Sequence, residues 1–161
     1  MVTLFYSAKS GSIVVGAIKL AVFFCLNPAS MADELESYLW ENRPLIIFAD
    51  EINSPPFKQI MTYLGQRQCD IKDRQMVIGV LFRNGDSTIG DKRISSSYAE
   101  SLWNRYQVGS QAFAVILIGK DGGEKYRLYE VPDLNEIFTL IDGMPMRQVE
   151  MEQSPSACGQ K

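Results

Sequence analysis

The sequence predicts an α/β protein: a three-layer α/β/α sandwich around a central mixed four-stranded sheet, with element order βαβαββα after an N-terminal helix. Three observations lead there. Leu45-Ile46-Ile47-Phe48-Ala49 is apolar at every position, which suits a central strand covered on both faces. Segments with apolar residues at helical spacing separate it from two later apolar runs. Gly119-Lys120-Asp121-Gly122-Gly123 marks a tight turn between the last two strands, so the sheet closes on a hairpin. At 161 residues the chain has the length of one domain with one real core.

The elements follow in order. Asp33 to Trp40 reads as a short amphipathic helix, with acids in its first turn and Leu35, Tyr38 and Leu39 on one face. Pro44 opens the first strand. Asn53 or Ser54 caps the next helix, whose first position is Pro55, and Phe57, Ile60, Met61 and Leu64 form its buried face. Gln75 to Phe82 is the second strand, and Asn84-Gly85-Asp86 with Gly90-Asp91 marks a loop after it. Ser97-Tyr98-Ala99-Glu100 is a capping-box pattern for a helix running towards Tyr106. Gln111 to Ile118 and Glu124 to Val131 are the last two strands. Asp133 and Glu136 form a second capping box, Leu134, Ile137, Phe138 and Ile141 make the apolar face, Gly143 ends the helix, and Pro145 prevents its continuation. The two strand-helix-strand units are expected to make parallel crossovers, with the hairpin adding an antiparallel edge. That order is thioredoxin-like.

Residues 1–32 differ from the rest. They carry Lys9 and Lys19 and no acid, then the compact apolar run Leu20 to Leu26, then Asn27-Pro28 and the small residues Ser30 and Ala32. This is the layout of a secretory signal cleaved near Ala32, and the run is too short to span a bilayer. The expected organisation is a signal peptide over 1–32, a folded domain over 33–147 and a flexible tail over 148–161. The expected location is the periplasm or the extracellular medium, with no stable membrane insertion after cleavage. A start at Met31 would instead give a cytoplasmic protein. Cleavage moves the net charge from −3 to −5 and leaves two cysteines, Cys69 and Cys158. Two such distant cysteines make no disulfide framework, and whether they form a single bridge in an oxidising compartment is left open.

Composition excludes several activities. The acidic balance gives no basic field for a polyanion, so nucleic acid is not an expected partner. The chain has no histidine, which removes Ser-His-Asp and Cys-His catalysis and the commonest zinc ligand. A thioredoxin-like fold carries its redox cysteines in the turn after the first strand. Here that turn is Ala49-Asp50-Glu51-Ile52-Asn53-Ser54-Pro55-Pro56, without cysteine. The approach to the third strand, Val108-Gly109-Ser110-Gln111-Ala112-Phe113, lacks the proline that such folds hold in cis there. Dithiol exchange and peroxidase chemistry are therefore disfavoured, and no cofactor or metal is expected.

Trp40-Glu41-Asn42-Arg43-Pro44-Leu45, Ile118-Gly119-Lys120-Asp121-Gly122-Gly123-Glu124-Lys125 and Ile141-Asp142-Gly143-Met144-Pro145-Met146-Arg147 resemble the signature of the family called domain of unknown function 4174. The resemblance spans about Leu35 to Met151. It implies a thioredoxin- or peroxiredoxin-like fold and relatives among secreted vertebrate matrix proteins, and it brings no assigned reaction.

The candidate sites are few. Cys69 is the one cysteine within the expected fold and the weak catalytic candidate; placed after a helix C-terminus, it gains nothing from the dipole, though Lys72 and Arg74 partly offset this. Asp50 and Glu51 stand at the carboxyl end of a central strand, where paired carboxylates bind a hard cation, but a solvated, helix-capping turn is the preferred reading. Lys120, Asp121 and Lys125 on the hairpin are candidates for a small anionic ligand, or simply keep its tip soluble. Arg43 and Arg147 read as struts that pair with Glu150 or Asp142 and fasten the C-terminal segment. The sharper alternative has Trp40, Met144, Met146 and Arg147 forming a surface for an unknown protein partner. The leading expectation is a non-catalytic binding or structural module; the alternative is an atypical thiol oxidoreductase or peroxiredoxin-like protein using Cys69.

Overall fold

The computed structural model describes residues 34–109, 113–154 and Cys158, all within the compact unit Met31–Lys161. The expected signal segment, 1–32, lies outside the described residues, as do residues 155–157 and 159–161 of the expected tail. After a 3-10 helix over Glu34–Tyr38, the chain runs β1 (Arg43–Ala49), α1 (Pro55–Gln66), α2 (Gln68–Asp73), β2 (Met76–Phe82), β3 (Ser87–Ile89), β4 (Lys92–Ile94) and α3 (Ser96–Arg105). It continues through β5 (Phe113–Ile118), β6 (Glu124–Leu128), α4 (Leu134–Asp142) and α5 (Pro145–Gln153). The strands form one sheet in the order β4-β3-β2-β1-β5-β6.

β1 is the central strand, and all seven of its residues are buried. Successive side chains of a strand point to opposite faces, so its apolar run supplies two cores at once. Ile46 and Phe48 pack with Leu102, Trp103 and Tyr106 of the α3 layer, while Leu45, Ile47 and Ala49 pack with Phe57, Ile60, Leu64, Ile137 and Phe138 beneath α1 and α4. Pro44 is tolerated so near the sheet's centre because pairing with β5 begins one residue later, at Leu45.

The α/β sandwich stands, with six strands in the sheet instead of four. The extra pair lies where a loop was expected: Ser87–Ile89 and Lys92–Ile94 form a short hairpin around Gly90, which has φ 58°. Strands of three residues carry too little periodicity to separate from a loop. The first crossover is parallel, β1 to β2, as expected. The second is not, because β5 runs antiparallel to β1. The β3–β4 hairpin and α3 together reverse the chain before it re-enters the sheet.

Helix boundaries shift by local chemistry. Ser54 is the N-cap of α1 by position, with proline next, but its hydroxyl makes no capping bond. The cap of α3 is Ser95, which accepts from the Tyr98 amide, two residues before the expected one. Asp133 caps α4 by accepting from Asn135, and the expected apolar face is the buried one. Beyond Gly143, Pro145 starts a new helix at a position where a missing N–H costs nothing. Helical structure therefore reaches Gln153, past Gln148, where the tail was expected to begin.

Candidate functional site

The turn that would hold redox cysteines is occupied by an ion pair. Arg83, just past β2, donates from Nε to Asp50 Oδ1 at 3.0 Å and from Nη2 to the Gly109 carbonyl at 2.6 Å, with its guanidinium 4.1 Å from the Trp103 ring centroid. One side chain thus spans from the turn after β1 to the approach to β5. The described residues contain no cis peptide bond. Asp50 is committed to Arg83, Glu51 is exposed, and no grouping of acidic and cysteine side chains with metal-holding geometry occurs among the described residues.

Cys69 follows the C-terminal end of α1, as expected, and lies in the first turn of the short helix α2, which was not expected. Its sulfur is bonded to that of Cys158, closing a loop over a sequence separation of 89 residues. Cys69 is exposed and Cys158 half-buried, so the bridge sits at the surface.

The three signature motifs, which lie far apart in sequence, meet at one end of the sheet. Arg43 is 1% exposed and enters β1 with its guanidinium forked onto Glu150 of α5: Nη1 to Oε2 and Nη2 to Oε1, both 3.0 Å. Such a bidentate arginine-carboxylate pair combines charge with fixed geometry. Nη1 also donates to the Arg74 carbonyl at 3.0 Å. Lys120, from the hairpin, brings Nζ to 2.7 Å from Glu150 Oε1 and donates to Gln75 Oε1. Glu150 therefore pairs with two buried cations from different elements, and the trio keeps one positive charge. Burial pushes its carboxyl up, but hydrogen bonds from Arg43 and Lys120, and their charges, outweigh that and leave it below its ordinary value.

Arg147, 4% exposed, extends the network along α5. It donates from Nε to Asp142 Oδ1 at 3.2 Å, from Nη1 to the Asp73 carbonyl at 2.8 Å, and from Nη2 to the Asp73 carboxylate. Arg74 Nη2 reaches the other Asp142 oxygen at 2.6 Å, and the Arg74 guanidinium lies over the Phe138 ring at 4.7 Å. Arg43 and Arg147 are thus the struts that fasten the C-terminal segment, through Glu150 and Asp142 as expected. The sequence reading missed Asp73, Arg74 and Gln75, which complete the network from α2 and the turn after it. No local pattern marks them, since their partners lie tens of residues away.

Over this network lies a groove of about 350 Å³ lined by Trp40, Arg43, Lys120, Lys125, Met144 and Met146, among others. With Asp121, which also lines it, the groove gathers seven of the candidate residues; Arg147, buried on α5, is outside it. Lys125 pairs with Asp121 at 2.7 Å, and that bond together with the Gly123 amide holds the Asp121 carboxyl below its ordinary range. Both hairpin lysines therefore already end on carboxylates. Trp40 is 65% exposed and sits at φ 65°, a left-handed backbone that costs a non-glycine residue about 1–2 kcal/mol. Its amide donates to the Lys120 carbonyl at 2.7 Å, which pins the strained residue to the hairpin. Gly122 makes that hairpin turn at φ 78°, and a Cβ there would lie 2.8 Å from Leu39.

No helix among the described residues is long and apolar enough to cross a membrane. The architecture is like that of Prx1a from Plasmodium yoelii (TM-score 0.51, 19% identity, 79% of this chain and 86% of that one) and of the reduced 2-Cys peroxiredoxin of Plasmodium vivax (TM-score 0.51, 15% identity, 71% and 84%). At such identities the likeness concerns the fold alone. In sequence, the chain is 26% identical over 141 residues to coiled-coil domain-containing protein 80 of Danio rerio and 27% identical over 131 residues to human Sushi repeat-containing protein SRPX2. It covers 16% and 28% of those two proteins, so it spans less than a third of the curated relatives it matches. The model of the family described as domain of unknown function (DUF4174) matches residues 34–150, and the chain, a thioredoxin-like module, belongs to that family.

Proposed function

We propose that this protein is an exported, non-catalytic module that binds a protein partner through the groove beside Trp40. The single observation that carries the reading is Trp40 itself. A large aromatic side chain is held two-thirds exposed, in a strained backbone conformation, at the rim of an apolar groove. The backbone there is held by the Trp40 amide on the Lys120 carbonyl, but the side chain is left outside the core. Met144 and Met146 supply adaptable walls. Because Arg43 and Lys120 both end on Glu150, the floor presents no unpaired side-chain charge, and the apolar walls fit an apolar side chain of the partner. Export is supported by the 1–32 leader pattern and by the Cys69–Cys158 bridge, since disulfides persist mainly in oxidising compartments.

The test is differential capture. Immobilised wild type, Trp40→Ala and Met146→Glu are exposed to the medium or periplasmic extract of the source cells. A protein retained by wild type, lost from both variants and rebinding in purified form supports the groove; equal retention by all three removes it. The second reading, a thiol oxidoreductase, draws on one observation: the exposed bridge is the oxidised product that Cys69 chemistry would leave. Insulin reduction or peroxide consumption that disappears in Cys69→Ser would put this reading in first place.

A further inference from the structure

We infer that α5 is a redox-released latch: reducing the Cys69–Cys158 bridge frees this helix from the domain and dismantles one wall of the groove. The inference deepens the binding reading above by supplying its regulation, and its consequence for a partner rests on that reading. Three observations combine. First, α5 is weakly anchored by apolar packing: its N-cap Met144 is partly buried against the core, Met151 is half-buried, and no apolar residue along the helix is fully buried. Arg147 is its one buried residue, while Met146 and Val149 are 41% and 49% exposed. A helix of nine residues has little stability of its own and depends on what it docks against. Second, what docks it is ionic and sits at two points, Glu150 on Arg43 and Lys120, and Arg147 on Asp73 and Asp142. Third, the covalent tie lies just past its C-terminal end and is accessible, because Cys69 is exposed on α2. Surface disulfides belong to the labile class that exchanges with external thiols.

The chemistry is ordinary exchange with a dithiol. A dithiol thiolate attacks one sulfur, the Cys69–Cys158 bond breaks, and a mixed disulfide forms. The second thiolate then displaces the protein sulfur, so the protein gains two thiols and the reductant closes to its own disulfide. With the tether gone, lifting α5 costs its ion pairs and hydrogen bonds and the partial burial of Met144 and Met151, and water then reaches Arg43 and Lys120. Met144, Pro145 and Met146, which line the groove at the start of α5, move with it.

Hydrogen exchange of the whole chain, read by mass spectrometry with and without dithiothreitol, tests this. The α5 amides are expected to be protected in the oxidised protein and to exchange about tenfold faster or more after reduction, while β1 and β5 stay protected through the labelling time. Cys158→Ser without reductant should match the reduced wild type. Unchanged α5 protection on reduction overturns the latch. So does protection lost from α5 only in step with β1 and β5, because the bridge would then staple the whole fold. Partner retention by oxidised Trp40→Ala is a separate measurement: if it persists while α5 still opens on reduction, the groove reading fails and the latch stands.

Discussion

Replacing Glu150 with alanine removes the one carboxylate shared by Arg43 and Lys120. Arg43 is 1% exposed and the Lys120 side chain 7%, so neither cation can turn to water without moving a structural element. Breaking a buried pair from one side costs about 3–5 kcal/mol, mostly as the penalty of an uncompensated charge. Glu150 keeps 20% of its side chain in solvent, so water enters the vacated space, and the low end, about 3 kcal/mol, is expected. Urea unfolding with the disulfide intact is the assay. The midpoint should fall with an unchanged slope, because the surface exposed on unfolding hardly alters, and Tm should drop by roughly 10 °C. Glu150→Gln keeps the shape and one acceptor and should lose less. In Arg43→Met/Lys120→Met/Glu150→Leu both cations and their shared carboxylate leave together, which should cost less than Glu150→Ala alone, since apolar replacement of buried ionic groups is often neutral. A Glu150→Ala protein within about 0.5 kcal/mol of wild type, the range of an ordinary surface change, would refute the claim that this carboxylate holds the two buried cations of the motif cluster.

Other outcomes follow from the same geometry. Glu150 and Asp70 both titrate below their ordinary values, Asp70 because Arg67 hydrogen-bonds its carboxylate. Groups with a lowered folded pKa add stability that is complete above the unfolded value and is lost as pH falls through the folded one. Stability should therefore hold at neutral pH and decline as pH drops below about 4.5, the ordinary glutamate value, with the decline smaller in Glu150→Gln; pH-dependent urea midpoints check this. Trp40→Gly relieves the left-handed backbone and should raise stability by up to about 1 kcal/mol while abolishing partner retention. Lower stability in that variant would mean that Trp40 is a packing residue. Gly79→Ala places a methyl 2.5 Å from Ile46 Cδ1 in the middle of the sheet and should cost about 1–3 kcal/mol in thermal or urea unfolding.

Much of the scaffold was legible because its signals are local. The unbroken apolar run Leu45 to Ala49 announces a two-faced strand, and the Asp133 cap with Leu134, Ile137, Phe138 and Ile141 announces α4 with its buried face. The β3–β4 hairpin was read as loop because three-residue strands hold too few residues to show alternation. α5 escaped for a different reason: it docks by charge, so the apolar stripe by which a helix is recognised is missing. At the candidate site, Arg43, Arg147 and their carboxylates were readable as struts, but Lys120 read as an exposed hairpin lysine. Only the fold shows it buried against Glu150.

The sequence by itself determined the α/β class, the absence of histidine chemistry, the empty redox turn and the three motifs. Each of these depends on residue identity or on neighbours within a few positions. The tertiary structure decided that the motifs converge on one ion network and groove, that β5 opposes β1, and that Cys69 meets Cys158 across 89 residues. Arg43 finds Glu150 107 positions away, and no periodicity or spacing rule reaches that far. Such pairs exist only because sheet and helix packing brings their elements together, and burial then makes each charge choose a partner.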